Sequence, residues 1–194
     1  MDVTRLIIVA VGGQGNLLAS RVLGEAAGYS DVAVRMSEIH GMAQRGGVVE
    51  SALIFGSAES TIISDGEADI LVSFEPLEAL RALKKCNSNT VVITNTKPLP
   101  PFTVASGKVA YPPLETIRSL IREKTARLID IDATSLAIEA GNVLSVNIVL
   151  LGALSATRLL PFSEESIKKA IRETTRPQFL EINLKAFELG RKTV

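Results

Sequence analysis

The stretch "RLIIVAVGGQGNLLASRVLGEAAG", residues 5–28, decides the fold. After Arg5, six apolar residues run into glycines, which reads as a buried strand. Over residues 16–27, leucine and alanine recur at helical spacing until Gly28. A strand, a glycine turn and a helix in this order open an α/β architecture.

Working outward, residues 32–36 give a second short strand, and "SEIHGMAQRGG", residues 37–47, reads as a loop leading to a third strand at 48–55. Residues 70–74 form another buried strand, and Pro76 suits the first helical position of "PLEALRALKK". "TVVIT", residues 90–94, is the next strand. The order of strands and helices predicts a three-layer α/β/α fold with a mixed, mostly parallel, Rossmann-like sheet.

Residues 97–113 hold five of the eight prolines and show no periodicity, so they read as an extended surface excursion with at most a short hairpin at "TVASGKVAY". "PLETIRSLIREK" then places Leu114, Ile117, Leu120 and Ile121 along one helical face, and "ARLIDID" returns to the sheet. The layered core is expected to close near residue 132. Beyond it the pattern is helical, with Ser163 as a cap ahead of Glu164 and Glu165, and Gly190 as a stop. Residues 143–154 are apolar nearly all round, which places them at the centre of a core or in a subunit interface. A single domain over 1–194 is expected, its sheet formed by 1–132 and its helical part, 133–194, packed on that sheet.

With 194 residues, the chain can bury a sizeable core unaided. Its 46% hydrophobic and 22% charged content suggests an unusually apolar surface or interface, as a subunit would have. Basic and acidic residues balance at 21 each, so no global field draws it to nucleic acid or to an acidic membrane. Residues 1–11 show no basic region followed by a cleavable apolar stretch, and no apolar run reaches about 18 residues, so a cytoplasmic location is expected. One cysteine, Cys86, excludes a disulfide framework, a cysteine zinc site and a four-cysteine iron–sulfur cluster within one chain.

The candidate site residues come from three places. Gly12, Gly13, Gln14 and Gly15 form a strand-to-helix loop whose amides could receive a phosphate, although a tight structural turn would look the same. Against the dinucleotide fingerprint, Ala10 replaces the first glycine, and Met36 and Ser37 precede Glu38 where an acidic ribose ligand belongs, which speaks against an NAD-dependent dehydrogenase. His40 is either a structural residue or a group facing a site. Arg45, followed by Gly46 and Gly47, offers a guanidinium fork beside exposed amides, the alternative being a solvated arginine. Glu75 and Asn95 stand just past strand ends, where ligands and polar caps both gather. Asn147, in its apolar helix, must find a hydrogen-bond partner.

Six ordered segments, "VGGQGNLLASRVLGEAA", "SEIHGMAQRGGVVES", "GEADILVSFEPLEALRAL", "IDATSLAIEAGN", "NIVLLGALSATRLLP" and "EINLKAFELG", resemble the γ-type subunits of 2-oxoacid:ferredoxin oxidoreductases over nearly the whole chain. The form "SEIHGMAQRGG" is most similar to the indolepyruvate branch, whose small subunit is termed β. Ala10, where that family usually has glycine, and "STIISDG", where it often has Ser-Pro, are departures.

The resemblance implies a complex that oxidatively decarboxylates aryl pyruvates to acyl-CoA and reduces ferredoxin. Thiamine diphosphate and four-iron iron–sulfur clusters would belong to a large α-type partner subunit, and this chain alone would be inert. Its implied part is to complete the active site and the coenzyme A path. Gly12, Gly13, Gln14 and Gly15 would present amides and Arg45 charge, with coenzyme A as a candidate ligand at the interface, while His40 and Gln44 would face the partner or brace the loop. The alternative is a free-standing nucleotide-binding or regulatory module of the same fold.

Overall fold

The computed structural model describes residues 3–41, 47–100, 104, 107 and 110–194. Strand β1 (Thr4–Val11) lies inside a six-stranded sheet of order β2-β3-β1-β4-β5-β6. It pairs in parallel with β4 (Ala68–Ser73) and antiparallel with β3 (Val48–Phe55). β5 (Cys86–Asn95) and β6 (Arg127–Ile131) extend the parallel side. On the other side β2 (Val34–His40) pairs antiparallel with β3, so β3 alone runs against the rest and the sheet is mixed, as the sequence predicts.

Alternation along β1 assigns the two faces. Leu6, Ile8 and Ala10 enter the larger core with helices α1 (Asn16–Gly28), α4 (Ala133–Ala140), α5 (Val146–Ala156), α6 (Glu164–Thr174) and α7 (Leu180–Arg191). Ile7 and Val9 face the smaller core under α2 (Pro76–Ala82) and α3 (Leu114–Lys124). Three layers result. Pro76 takes the first turn of α2, and Ser163 caps α6 by accepting the Ser166 amide at 3.2 Å. Among the described residues, no helix is long and apolar enough to cross a membrane.

The structure corrects several boundaries. β2 begins at Val34 and continues through His40, so "SEIH" is strand, not loop. Every residue from Val34 to His40 has a partner on β3, and an outermost strand needs no apolar run to form that ladder. β5 begins at Cys86, four residues before "TVVIT", because Asn87 and Thr90 anchor this polar start to the Gly66 and Ala68 carbonyls, both at 2.6 Å. In α3, Ile117 and Ile121 are buried but Leu120 is exposed. Most of the stretch given to a short hairpin, 103–111, lies outside the described residues.

Gly190 does not stop a helix: α7 runs through it to Arg191. Its role is contact with α5, which is buried throughout from Val146 to Leu154 and forms the centre of the core. A Cβ at Gly152 would stand 2.0 Å from the Phe187 carbonyl oxygen, and one at Gly190 would stand 1.9 Å from that of Val149. Backbone approach this close is open only to glycine.

Candidate functional site

Because β1, β4, β5 and β6 are parallel, their carboxyl ends line up along one edge of the sheet. This edge is where open α/β sheets place ligands. Here the chain leaves β1 through Gly12, Gly13, Gln14 and Gly15, with Gly13 and Gly15 at positive φ of 99° and 83°. The turn is braced from three sides. Gln14 accepts the Val11 amide on Oε1 at 2.8 Å and donates from Nε2 to the Phe74 carbonyl at 3.2 Å. The Gly12 amide donates to the Gly47 carbonyl at 2.8 Å, and the Gln14 amide to that of Val11 at 3.2 Å. From below, Asn147 Nδ2 donates to the Gly15 carbonyl at 3.1 Å, which supplies the partner its buried amide requires.

The braced turn separates two clefts. The first, about 340 Å³, has Gln14, Asn95, Lys97 and Thr134 as its polar lining and Leu99, Val143, Leu144 and Val146 as its apolar one. Asn95 is 2% exposed and donates from Nδ2 to Thr134 Oγ1 at 3.0 Å and to the Phe74 carbonyl at 3.4 Å. Lys97 reaches Asp132 Oδ2 at 3.2 Å. Burial pushes the Asp132 carboxyl up, but bonds from the Ser135 amide and hydroxyl and from Lys97 outweigh it and hold the group below its usual range. The cleft suits a ligand that is apolar along one side and polar at one end.

The second cleft, about 550 Å³, is bounded by Gly12, Gly15 and Leu17 on one side and by His40, Gly47 and Val48 on the other. His40 ends β2, half-exposed, with Nε2 3.6 Å from Glu38 Oε2. Glu38 in turn accepts from Ser20 Oγ on α1 at 3.3 Å. Asn16 fixes α1 against β3 by donating to the Val49 carbonyl at 3.1 Å and accepting from Ser51 Oγ at 3.1 Å.

The structure thus gathers Gly12, Gly13, Gln14 and Asn95 at the first cleft and Gly12, Gly13, Gly15, His40 and Gly47 at the second. Gln44, Arg45 and Gly46 lie outside the described residues, as does Met42. Glu75 stands at the same sheet edge, but its carboxylate is enclosed. It caps α2 through the Glu78 amide at 3.0 Å and accepts from Tyr111 Oη at 2.5 Å and the Leu99 amide at 3.4 Å. Burial raises the Glu75 carboxyl above its usual range, against the opposing pull of the Tyr111 hydrogen bond.

Sequence reasoning missed Lys97 and Thr134. Their placement just past the ends of β5 and β6, the same signal that singled out Asn95, could have found them. Among the described residues, no three histidine, cysteine, aspartate or glutamate side chains come together to hold a metal.

With this geometry in view, the likeness to known proteins is informative. The sequence pattern of the family described as pyruvate ferredoxin/flavodoxin oxidoreductase matches residues 5–193. The chain is 43% identical over 185 residues to the indolepyruvate oxidoreductase subunit IorB of Methanothermobacter thermautotrophicus, covering 95% of this chain and 94% of that one. It is 42% identical over 189 residues to the subunit of the same name from Pyrococcus horikoshii, covering 96% and 94%. Among solved structures, the keto/oxoacid ferredoxin oxidoreductase γ subunit of Geobacter sulfurreducens superposes with a TM-score of 0.71 at 23% identity, over 98% of this chain and 97% of that one.

Proposed function

This chain belongs to the pyruvate ferredoxin/flavodoxin oxidoreductase family, and on that premise we propose that it is the small, cluster-free subunit of a 2-oxoacid:ferredoxin oxidoreductase of the indolepyruvate type. The observation that carries the proposal is near-complete alignment, at 42–43% identity, with two proteins named as indolepyruvate oxidoreductase subunits. The complex converts an aryl pyruvate and coenzyme A to carbon dioxide and the aryl acyl-CoA, passing the electrons to ferredoxin.

Iron–sulfur clusters do not fit this chain. A cluster of the cysteine-held type needs several thiolates. The chain has one cysteine, and burial pushes that Cys86 thiol up to about 11. For thiamine diphosphate, the sequence has no Gly-Asp-Gly segment of the kind that would hold its metal ion and diphosphate. Both groups therefore fall to a large α-type partner subunit, and no step of the reaction runs through them here.

What this chain supplies is shape and hydrogen bonding at the partner's site. The glycine turn, held by Gln14, Asn147 and the Gly47 carbonyl, is rigid enough to stand as one side of an active site without reorganising. Coenzyme A, an anionic substrate, suits the turn and Arg45, and His40, which lines the second cleft, is the residue assigned to face the partner in this reading.

The test is co-expression of this chain with its candidate large subunit, followed by an assay of arylpyruvate-dependent viologen reduction with coenzyme A. Activity that requires both chains supports the reading. A competent large subunit that does not bind this chain overturns it and favours a free-standing nucleotide-binding module. In the assembled complex, Arg45→Ala is expected to weaken coenzyme A binding by calorimetric titration, and unchanged affinity would remove that role.

A further inference from the structure

Residues 74 and 75 form a junction that the site's chemistry has not used. The Phe74 carbonyl receives both Gln14 Nε2, at 3.2 Å, and Asn95 Nδ2, at 3.4 Å, so it ties the glycine turn to the end of β5. One residue later, the Glu75 carboxylate divides its two oxygens between different tasks. Oε2 caps α2 through the Glu78 amide at 3.0 Å, while Oε1 takes Tyr111 Oη at 2.5 Å and the Leu99 amide at 3.4 Å. Leu99 stands near the start of the proline-rich excursion and Tyr111 near its end, and the Leu99 side chain lines the first cleft.

A helix cap uses one carboxylate oxygen and needs no burial. Glu75 is 0% exposed, and its second oxygen is committed to the excursion at both ends. Burying a carboxylate is unfavourable unless its hydrogen bonds compensate, so a residue serving only as a cap would be as well replaced by serine or aspartate at the surface. The side chains facing this group are Tyr111, Glu78 and, through Glu78, Arg81.

We propose that Glu75 is a positioning residue: by pinning Leu99 and Tyr111 to one buried carboxylate, it fixes the side of the first cleft formed by Lys97, Pro98 and Leu99 opposite the glycine turn. The width of the cleft, and so the affinity for whichever substrate of the complex reaches into it, depends on this latch. The link to substrate rests on the subunit reading given above; the latch itself does not.

Hydrogen exchange on the chain alone reads the latch directly. Tyr111→Phe removes one bond and leaves the cap on α2 in place, and Glu75→Gln keeps the side-chain shape while removing the charge. In both, the Leu99 amide, which donates to Glu75, is expected to exchange about tenfold faster, as the loss of a hydrogen bond to a charged acceptor implies, with β1, β4 and β5 unchanged. In the assembled complex, the same variants are expected to raise KM for coenzyme A or the 2-oxoacid severalfold more than they lower kcat.

Unchanged protection of the Leu99 amide in both variants overturns the latch, and lost protection without any change in KM overturns its positioning role. A wild-type chain that confers no activity on the large subunit overturns the subunit reading instead, while the exchange comparison still decides the latch.

Discussion

Asn147 and Gly15, 132 residues apart, meet so closely that a Cβ on residue 15 would stand 2.5 Å from Asn147 Nδ2. Gly15 is therefore required twice, by its positive φ and by its neighbour. Gly15→Ala is expected to lower stability by about 1–3 kcal/mol in urea unfolding. Gly13→Ala, also at positive φ but with open space around it, should lose less. Equal losses would show that backbone conformation alone sets the requirement.

The α5–α7 crossing gives a sharper steric prediction. Gly152→Ala and Gly190→Ala each drive a methyl into a carbonyl oxygen of the facing helix and are expected to cost about 3 kcal/mol or more. Both report on one interface, so the double variant should be less destabilised than the sum. Gly28→Ala, with open space and an ordinary φ, should stay within about 1 kcal/mol of the parent. Thermal unfolding of the four proteins checks the order.

Glu78 sets a pH dependence. It is 1% exposed, with Oε1 bonded to Arg81 at 2.6 Å and Oε2 buried without a partner among the described residues. Burial raises its carboxyl above the usual range despite Arg81, and the nearby Glu75 pushes in the same direction. A raised carboxyl binds its proton more tightly in the folded chain than in the unfolded one. Its contribution is thus fully present below the unfolded value of about 4.3 and is lost as pH rises through the folded value above it. Glu78→Gln is expected to flatten that decline, measured as urea midpoints from pH 5 to 8. A profile as steep as the parent's would assign the dependence elsewhere.

Cys86 is 1% exposed and holds its proton to about pH 11, so it is a poor nucleophile in the folded chain. Alkylation is expected to proceed only on unfolding, about as fast as local opening allows. The chain purified alone should be colourless, and stoichiometric iron and sulfide in it would refute the division of labour between subunits.

How far the sequence reveals this molecule depends on whether a residue's role is local. The apolar run of β1, the glycine turn, Pro76 at a helix start and Ser163 at a cap are each decided within a few residues, and the structure agrees with all four. β2 reads as a shorter strand in the sequence because its last four residues are held by backbone pairing to β3, which side-chain pattern does not record. Gly190 misled because a glycine that ends a helix and one that lets two helices touch look alike until the facing helix is known. At the candidate site, Gly12, Gly13, Gln14 and Asn95 line the first cleft, a placement that follows from their position at strand ends. Lys97 and Thr134 share that strand-end placement, but that they meet in one cleft follows only from β5 and β6 being neighbours, and the enclosure of Glu75 only from Tyr111 returning to it from 36 residues away.

The close seating of α7 on α5 also has a bearing on synthesis. α5 carries Asn147, which holds the glycine turn near the start of the chain, and α5 is covered in turn by α7, residues Leu180–Arg191. On the ribosome, the turn is made early but cannot be locked until Asn147 has emerged, 132 residues later. The nascent chain therefore carries the side of its central apolar helix at Val149 and Gly152 uncovered until residues 180–191 are made, an interval in which that apolar face is open to misassembly.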